Sequence, residues 1–235
     1  MMDEGQPGRP VFYLGIIALS SQSFCICGSH HSTKMKRNSL LFVLLATTIF
    51  CSCSSTKKTS GSIEAISIVP RSGWNAAEPK AYKQHVPKRI TVHHEGTKLE
   101  VTDDAAKKIR NIQRWGMGPD RKWADIPYHF LIAPDGKIYE GRNVFTVGET
   151  ATEYEPTGHL LITCLGNLHE QEVEAAQLSS LIKLIAHCSS KYNLTIETLA
   201  THRDYSKQTT CPGKNLYQYF ESGYLKEQVQ KLLLK

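Results

Sequence analysis

The chain has no internal repeat, no nucleotide-type glycine loop, no basic helix and no strand with repeated aromatics. The first absence excludes solenoids and propellers, the second the common nucleotide-binding folds, and the last two a nucleic-acid reader. Cysteine is scarce where it would matter. Of seven in all, four lie within the first 53 residues, and only Cys164, Cys188 and Cys211 remain in the body. Three cysteines do not make a disulfide framework. Cys164, in the apolar run HLLITCLG, and Cys188, on the apolar side of a helix, read as buried thiols. Glycine and proline are scattered, and at 40% apolar residues a true core is expected.

Long apolar runs are also missing. Leu40 to Ala46 follows Met35-Lys36-Arg37 as a short hydrophobic segment behind a basic one, the pattern of a secretory signal. It falls well short of the roughly 20 residues that span a bilayer. It ends at Phe50-Cys51-Ser52-Cys53-Ser54-Ser55, which resembles a bacterial lipoprotein lipobox with Phe50 where leucine is usual. Cleavage there would leave a lipid-modified cysteine as the new N-terminus. Cys53 is the choice because the small Ser52 precedes it, with Cys51 the alternative; an uncleaved anchor or plain secretion are the other outcomes. The expected organisation is therefore a non-native extension at 1–34, a lipoprotein-type signal at 35–53, a polar tether at 54–64 and one domain at 65–235. With no acidic residue in SSTKK after the signal, the expected location is the periplasmic face of an outer membrane. Without residues 1–53 the chain keeps 24 basic against 20 acidic residues. That mild excess suits an anionic polymer such as cell-wall material but does not demand one.

The body alternates helices and strands. Arg89 to His94 reads as a strand rich in Ile, Thr and Val. Thr102 or Asp103 can cap a helix through Ala105, Ala106, Ile109, Ile112 and Gln113, which recur at helical spacing. Ile126–Ile132 and Lys137–Tyr139 read as a hairpin around Asp135-Gly136. A further strand follows at His159–Leu165, and a long helix at Val173–Tyr192 with Leu178, Leu181, Ile182, Ile185 and Ala186 on one face. A last helix covers Tyr217–Leu234. This mixture predicts a single α/β domain, a mixed central sheet flanked by helices, with the site at one edge of the sheet.

Against that frame stands a dispersed triplet: His93 in RITVHHEG, and His202 and Cys211 in THRDYSKQTTCPGK. Two imidazoles and a thiolate can hold zinc and leave its fourth position open, the catalytic rather than the structural arrangement. Neighbouring strand side chains point to opposite faces, so His93 and His94 cannot both reach one ion. His94 shares a face with Ile90 and Val92, which makes His93 the ligand and His94 a packing or supporting residue.

VPRSGWNA (69–76), RITVHHEGT (89–97), RNIQRWGMG (110–118), WADIPYHFLIAPDGKIYEGR (123–142) and THRDYSKQTTCPGKNL (201–216) occur in this order. Together they resemble the type-2 N-acetylmuramoyl-L-alanine amidases, which include the animal peptidoglycan recognition proteins and phage lysozyme-amidases. The likeness covers about residues 65–220. It implies zinc as cofactor on His93, His202 and Cys211. It implies catalytic roles for Tyr128, as donor to the developing oxyanion, and for Thr209, two residues before the cysteine. The reaction implied is hydrolysis of the amide joining N-acetylmuramic acid to L-alanine, in peptidoglycan or muropeptides, by a monomer with no nucleic-acid partner. Two departures stand out. The His202–Cys211 spacing is one residue longer than in many relatives, which leaves Lys207 and Thr210 as rivals to Thr209. Thr146-Val147-Gly148 replaces the Trp-His many relatives carry before a glycine.

Blander readings exist for each piece. Tyr128 can be a plain strand aromatic, Thr209 a loop residue, His129 packing, and Glu140-Gly141-Arg142 a structural turn with an ion pair. Asp204 reads as fixing the loop between two ligands. A Cys211–His202 nucleophilic hydrolase would leave His93 unemployed. A non-catalytic peptidoglycan-binding module is the rival from another class.

Overall fold

The computed structural model describes residues 66–235; the expectations for the extension, signal and tether lie outside the described residues. Six strands form one mixed sheet: β1 (Ile68–Val69), β2 (Arg89–His94), β3 (Phe130–Ile132), β4 (Ile138–Glu140), β5 (His159–Cys164) and β6 (Ala200–Thr201). Their order is β1-β4-β3-β5-β2-β6, and only β3 and β4 run antiparallel, as the hairpin at Asp135-Gly136 requires. The helices are α1 (Ala105–Gly116), α2 (Ala175–Tyr192), α3 (His202–Tyr205), α4 (Lys214–Glu221) and α5 (Tyr224–Leu233). This is the α/β arrangement that the alternation predicts. Among the described residues no helix is long and apolar enough to cross a membrane.

β5 sits in the middle, paired with β3 and β2, and all six of its residues are buried. A strand covered on both faces reads as a continuous apolar run, which HLLITC nearly is. Alternation then divides the interior. Ile90 and Val92 of β2, Leu160, Ile162 and Cys164 of β5, and Phe130 and Ile132 of β3 pack with Leu181, Ile185 and Cys188 of α2 and with Leu225 and Val229 of α5. On the other face, Leu131, Leu165 and Tyr139 meet Trp74 and the α1 residues Ile109 and Ile112. Register places His93 beside Thr163, and Thr163 beside Leu131, so His93 belongs to the α1 face. Burying a side chain such as Val92 or Ile162 contributes about 1.5–3 kcal/mol, so the strand carrying His93 is held firmly.

Four local expectations need correction. The α1 cap is Asp104, whose carboxylate accepts the Lys107 N–H at 2.9 Å; Asp103 instead accepts from Glu100 N–H. The strand expected from Ile126 begins only at Phe130. The single C-terminal helix is two, because Gly223, at φ 73°, turns the chain between α4 and α5 in a conformation open to glycine. At the hairpin's exit, Arg142 pairs with Glu149, not with Glu140. Its buried guanidinium also donates to the Ile126, Val147 and Asp125 carbonyls, while Glu140 receives the Arg71 N–H.

Candidate metal centre and cleft

His93, at the end of β2, and His202, which opens α3 directly after β6, come together with Cys211; their donor atoms all lie within 4.8 Å of one another. Among the described residues this is the one such cluster of three or more His, Cys, Asp or Glu. All three are buried, at 3%, 8% and 6% exposure respectively. Cys211 Sγ lies 3.7 Å from His93 Nδ1, which matches the roughly 3.4–3.7 Å edge of a tetrahedron built on zinc's usual bond lengths. The cluster stands where β2 and the edge strand β6 end, as expected for a site at the margin of the sheet.

The segment between the two later ligands is shaped by its own polar groups. Asp204 accepts from both the N–H and the hydroxyl of Thr201 at 2.7 Å, closing a capping box on α3. Arg203 N–H reaches back to the Cys211 carbonyl at 3.0 Å. Past Cys211, Gly213 has φ 84°, and a β-carbon there would lie 2.4 Å from the Leu168 backbone, so the Cys-Pro-Gly turn needs glycine at its end. His94 serves the site with its backbone, donating N–H to Cys211 Sγ at 3.3 Å. Its ring turns to the other side and accepts from Leu168 N–H.

Electrostatically the two imidazoles are in the neutral form that binds a metal, and the thiol is protonated. Burial pushes the His93 imidazole well below its ordinary range, with the neighbouring His202 adding to the effect. Burial likewise takes His202 down to about 4 and pushes the Cys211 thiol up to about 12. Neutral imidazoles are what a cation requires, and a cation would supply the charge that turns the thiol into a thiolate. The same values speak against a thiolate–imidazolium nucleophile, which needs a lowered thiol pKa.

The cluster forms one wall of a cleft of about 610 Å³. Tyr128 and Thr209 both line it, whereas Lys207 and Thr210 are not among its lining residues and are exposed. The Tyr128 ring lies 5.4 Å from that of His93. Burial, with the Cys211 sulfur nearby, raises its phenol pKa, so the hydroxyl keeps its proton. Thr209 Oγ1 accepts the Cys211 N–H at 3.1 Å, which leaves its own O–H free to donate. α1 supplies the opposite wall through Lys108, Asn111, Ile112 and Trp115. Lys108 is tied to Glu95 at 3.0 Å. His129 stays out of the cleft, its Nδ1 accepting from Leu161 N–H and its Nε2 facing the Thr146 carbonyl.

The contacts that sequence reasoning missed come from the loop before β5. Thr152 Oγ1 is 2.7 Å from His202 Nε2, and the Tyr154 hydroxyl is 3.4 Å from His93 Nε2. No periodicity or motif marks this stretch; the one signal was negative, the departure at Thr146-Val147-Gly148 a few residues earlier.

Comparison with known proteins fits this geometry: the profile of the N-acetylmuramoyl-L-alanine amidases matches residues 83–214. The chain belongs to that amidase family. The matched span contains His93, Tyr128, His202, Thr209 and Cys211. The chain is 32% identical over 152 residues to human peptidoglycan recognition protein 3, covering 64% of this chain but only 44% of that protein. The structure of Drosophila peptidoglycan recognition protein SD superposes with a TM-score of 0.61 at 30% identity, over 67% of this chain and 94% of that one. A human PGRP-Iβ C-terminal structure in complex with glycosamyl muramyl pentapeptide gives 0.60 at 30% identity, over 67% and 96%. The amidase fold of the chain is thus shared with proteins named for peptidoglycan recognition.

Proposed function

We propose that this protein is a zinc-dependent N-acetylmuramoyl-L-alanine amidase that hydrolyses the bond between N-acetylmuramic acid and L-alanine in peptidoglycan or its fragments. The observation that carries this reading is the convergence of two imidazoles and one thiol within 4.8 Å on a cleft also lined by Tyr128 and Thr209. A zinc ion on His93, His202 and Cys211 would supply a Lewis acid and lower the pKa of a bound water to about 7. The side chains account for the remaining steps. Tyr128, held protonated by burial, donates its O–H where the amide oxygen gathers negative charge. Thr209, its oxygen already engaged by Cys211 N–H, orients the attacking water through a hydrogen bond or passes a proton to the departing amine. Glu95 and Lys108 form an ion pair with each other at the cleft wall.

A recognition module without catalysis is the second reading. It is favoured by the names of the relatives and by Thr146-Val147-Gly148 where many relatives have Trp-His. Zinc content and muropeptide cleavage, measured on the full chain and on Cys211→Ser, decide between them. One equivalent of zinc and newly freed L-alanine amino groups, both lost in the variant, are expected. Zinc without cleavage would favour the module; neither would sink the proposal.

A further inference from the structure

Residues 149–154, between β4 and β5, have no regular structure yet make a dense set of contacts. At one end Glu149 pairs with the buried Arg142 and accepts the Ala124 N–H at 2.9 Å. Three residues later Thr152 Oγ1 meets His202 Nε2 at 2.7 Å, while Thr150 Oγ1, 2.9 Å from Thr152 Oγ1, stands 3.5 Å from the same nitrogen. Glu153 accepts from Ser206 Oγ at 2.6 Å and from Lys207 N–H at 3.1 Å, gripping the chain between the later two donors. Tyr154 puts its hydroxyl 3.4 Å from His93 Nε2 and stacks on Tyr205.

One stretch of three residues therefore reaches both imidazoles and the loop that leads to Cys211. We propose that residues 149–154 act as a strap, with Thr152 and Tyr154 as positioning residues that hold the two imidazoles for the ion. This rests on the reading of His93, His202 and Cys211 as a zinc site. An imidazole that binds a metal through one nitrogen carries its proton on the other, and a partner for that N–H fixes both tautomer and ring angle. A hydroxyl oxygen at Nε2 accepts the proton and leaves the Nδ1 lone pair for the ion. His93 Nδ1 is already 3.7 Å from Cys211 Sγ. Thr152 assigns the same tautomer to His202. Because Glu149 is anchored to a guanidinium 1% exposed, the strap's origin is fixed by the protein interior.

The test uses the full chain and the variants Tyr154→Phe, Thr152→Val and Thr152→Ser, with Thr157→Ala as a control elsewhere in the same loop. Three quantities are read: zinc dissociation constant by chelator competition, ligand-field absorption of the cobalt(II)-loaded protein, and melting temperature without metal. Tyr154→Phe and Thr152→Val are expected to weaken zinc about 10–100-fold and to alter the cobalt spectrum, with unchanged metal-free melting. Thr152→Ser should restore both readouts, and Thr157→Ala should match wild type. Unchanged affinity and spectrum in both variants would overturn the strap, as would a loss that only tracks lower metal-free melting. If wild type binds zinc and the variants bind it equally, the strap alone fails. If wild type binds none, the zinc reading fails and the strap with it.

Discussion

The two halves of this site are built differently. His93 and Tyr128 belong to the sheet. The first is the penultimate residue of a strand paired on both sides, and the second stands just before β3 with its carbonyl accepting the Arg142 N–H at 2.8 Å. His202, Thr209 and Cys211 belong to a ten-residue segment whose path depends on a few bonds: those to Asp204, the Arg203-to-Cys211 backbone link, and Glu153. On the sheet side, position is set by apolar burial distributed over many residues, so few single polar changes should disturb it. On the segment side, each polar group counts. The site thus joins a half held by the packed sheet to one held by a few polar contacts.

The largest effect should come from the sheet half when chemistry alone is removed. Tyr128→Phe keeps the ring against His93 but deletes the donor, and muropeptide cleavage should fall about 10²–10³-fold with zinc content unchanged. Cleavage within a few-fold of wild type would reduce Tyr128 to a packing aromatic. Asp204→Ala addresses the other half. Losing the capping box should cost about 1–2 kcal/mol in urea unfolding and weaken zinc binding, because α3 and the turn to Cys211 lose their common tie. If zinc affinity is untouched while stability falls, the segment is as firmly placed as the sheet and the contrast between the halves disappears.

How far the sequence disclosed this site follows the same division. The sheet half was readable because periodicity is a local signal: RITVHH alternates, and alternation alone separates His93 from His94. α2, the hairpin at Asp135-Gly136 and the buried Cys164 and Cys188 were readable for the same reason. The approach of His202 and Cys211 to His93 is not local. It became visible through the resemblance of several spaced motifs, and no periodicity contains it. The strap was invisible because Thr152 and Tyr154 act through contacts across 50 and 61 positions, from a stretch without a pattern of its own. The break at Gly223 was missed because the apolar spacing runs on through it. Lys207, Thr209 and Thr210 could not be told apart by counting along the sequence; of the three, only Thr209 lines the cleft.

A smaller effect sharpens the comparison from the sheet side through pH. His129 is fully buried beside Tyr128; its Nδ1 accepts the Leu161 N–H at 2.8 Å, so Nε2 carries the proton toward the Thr146 carbonyl. Protonating Nδ1 would set two donors against each other in an apolar site. Burial accordingly lowers its pKa from 6.5 to about 3, with the Thr146 hydrogen bond only partly offsetting it. Above pH 6.5 the native and unfolded states are both neutral here and no stability is at stake. Between 6.5 and about 3 the unfolded chain binds a proton that the native state refuses. Stability therefore falls with pH across that window, by at most about 1.4 kcal/mol per unit from this one group. Urea unfolding of metal-free protein between pH 7 and 4.5 should show that fall, and His129→Asn should show a shallower one. Some slope must persist in the variant, because burial also lowers His94, His159 and His202 to about 4. Equal slopes in variant and wild type would mean that His129 takes up its proton without resistance, and that the interior beside Tyr128 yields more readily than its hydrogen bonds imply.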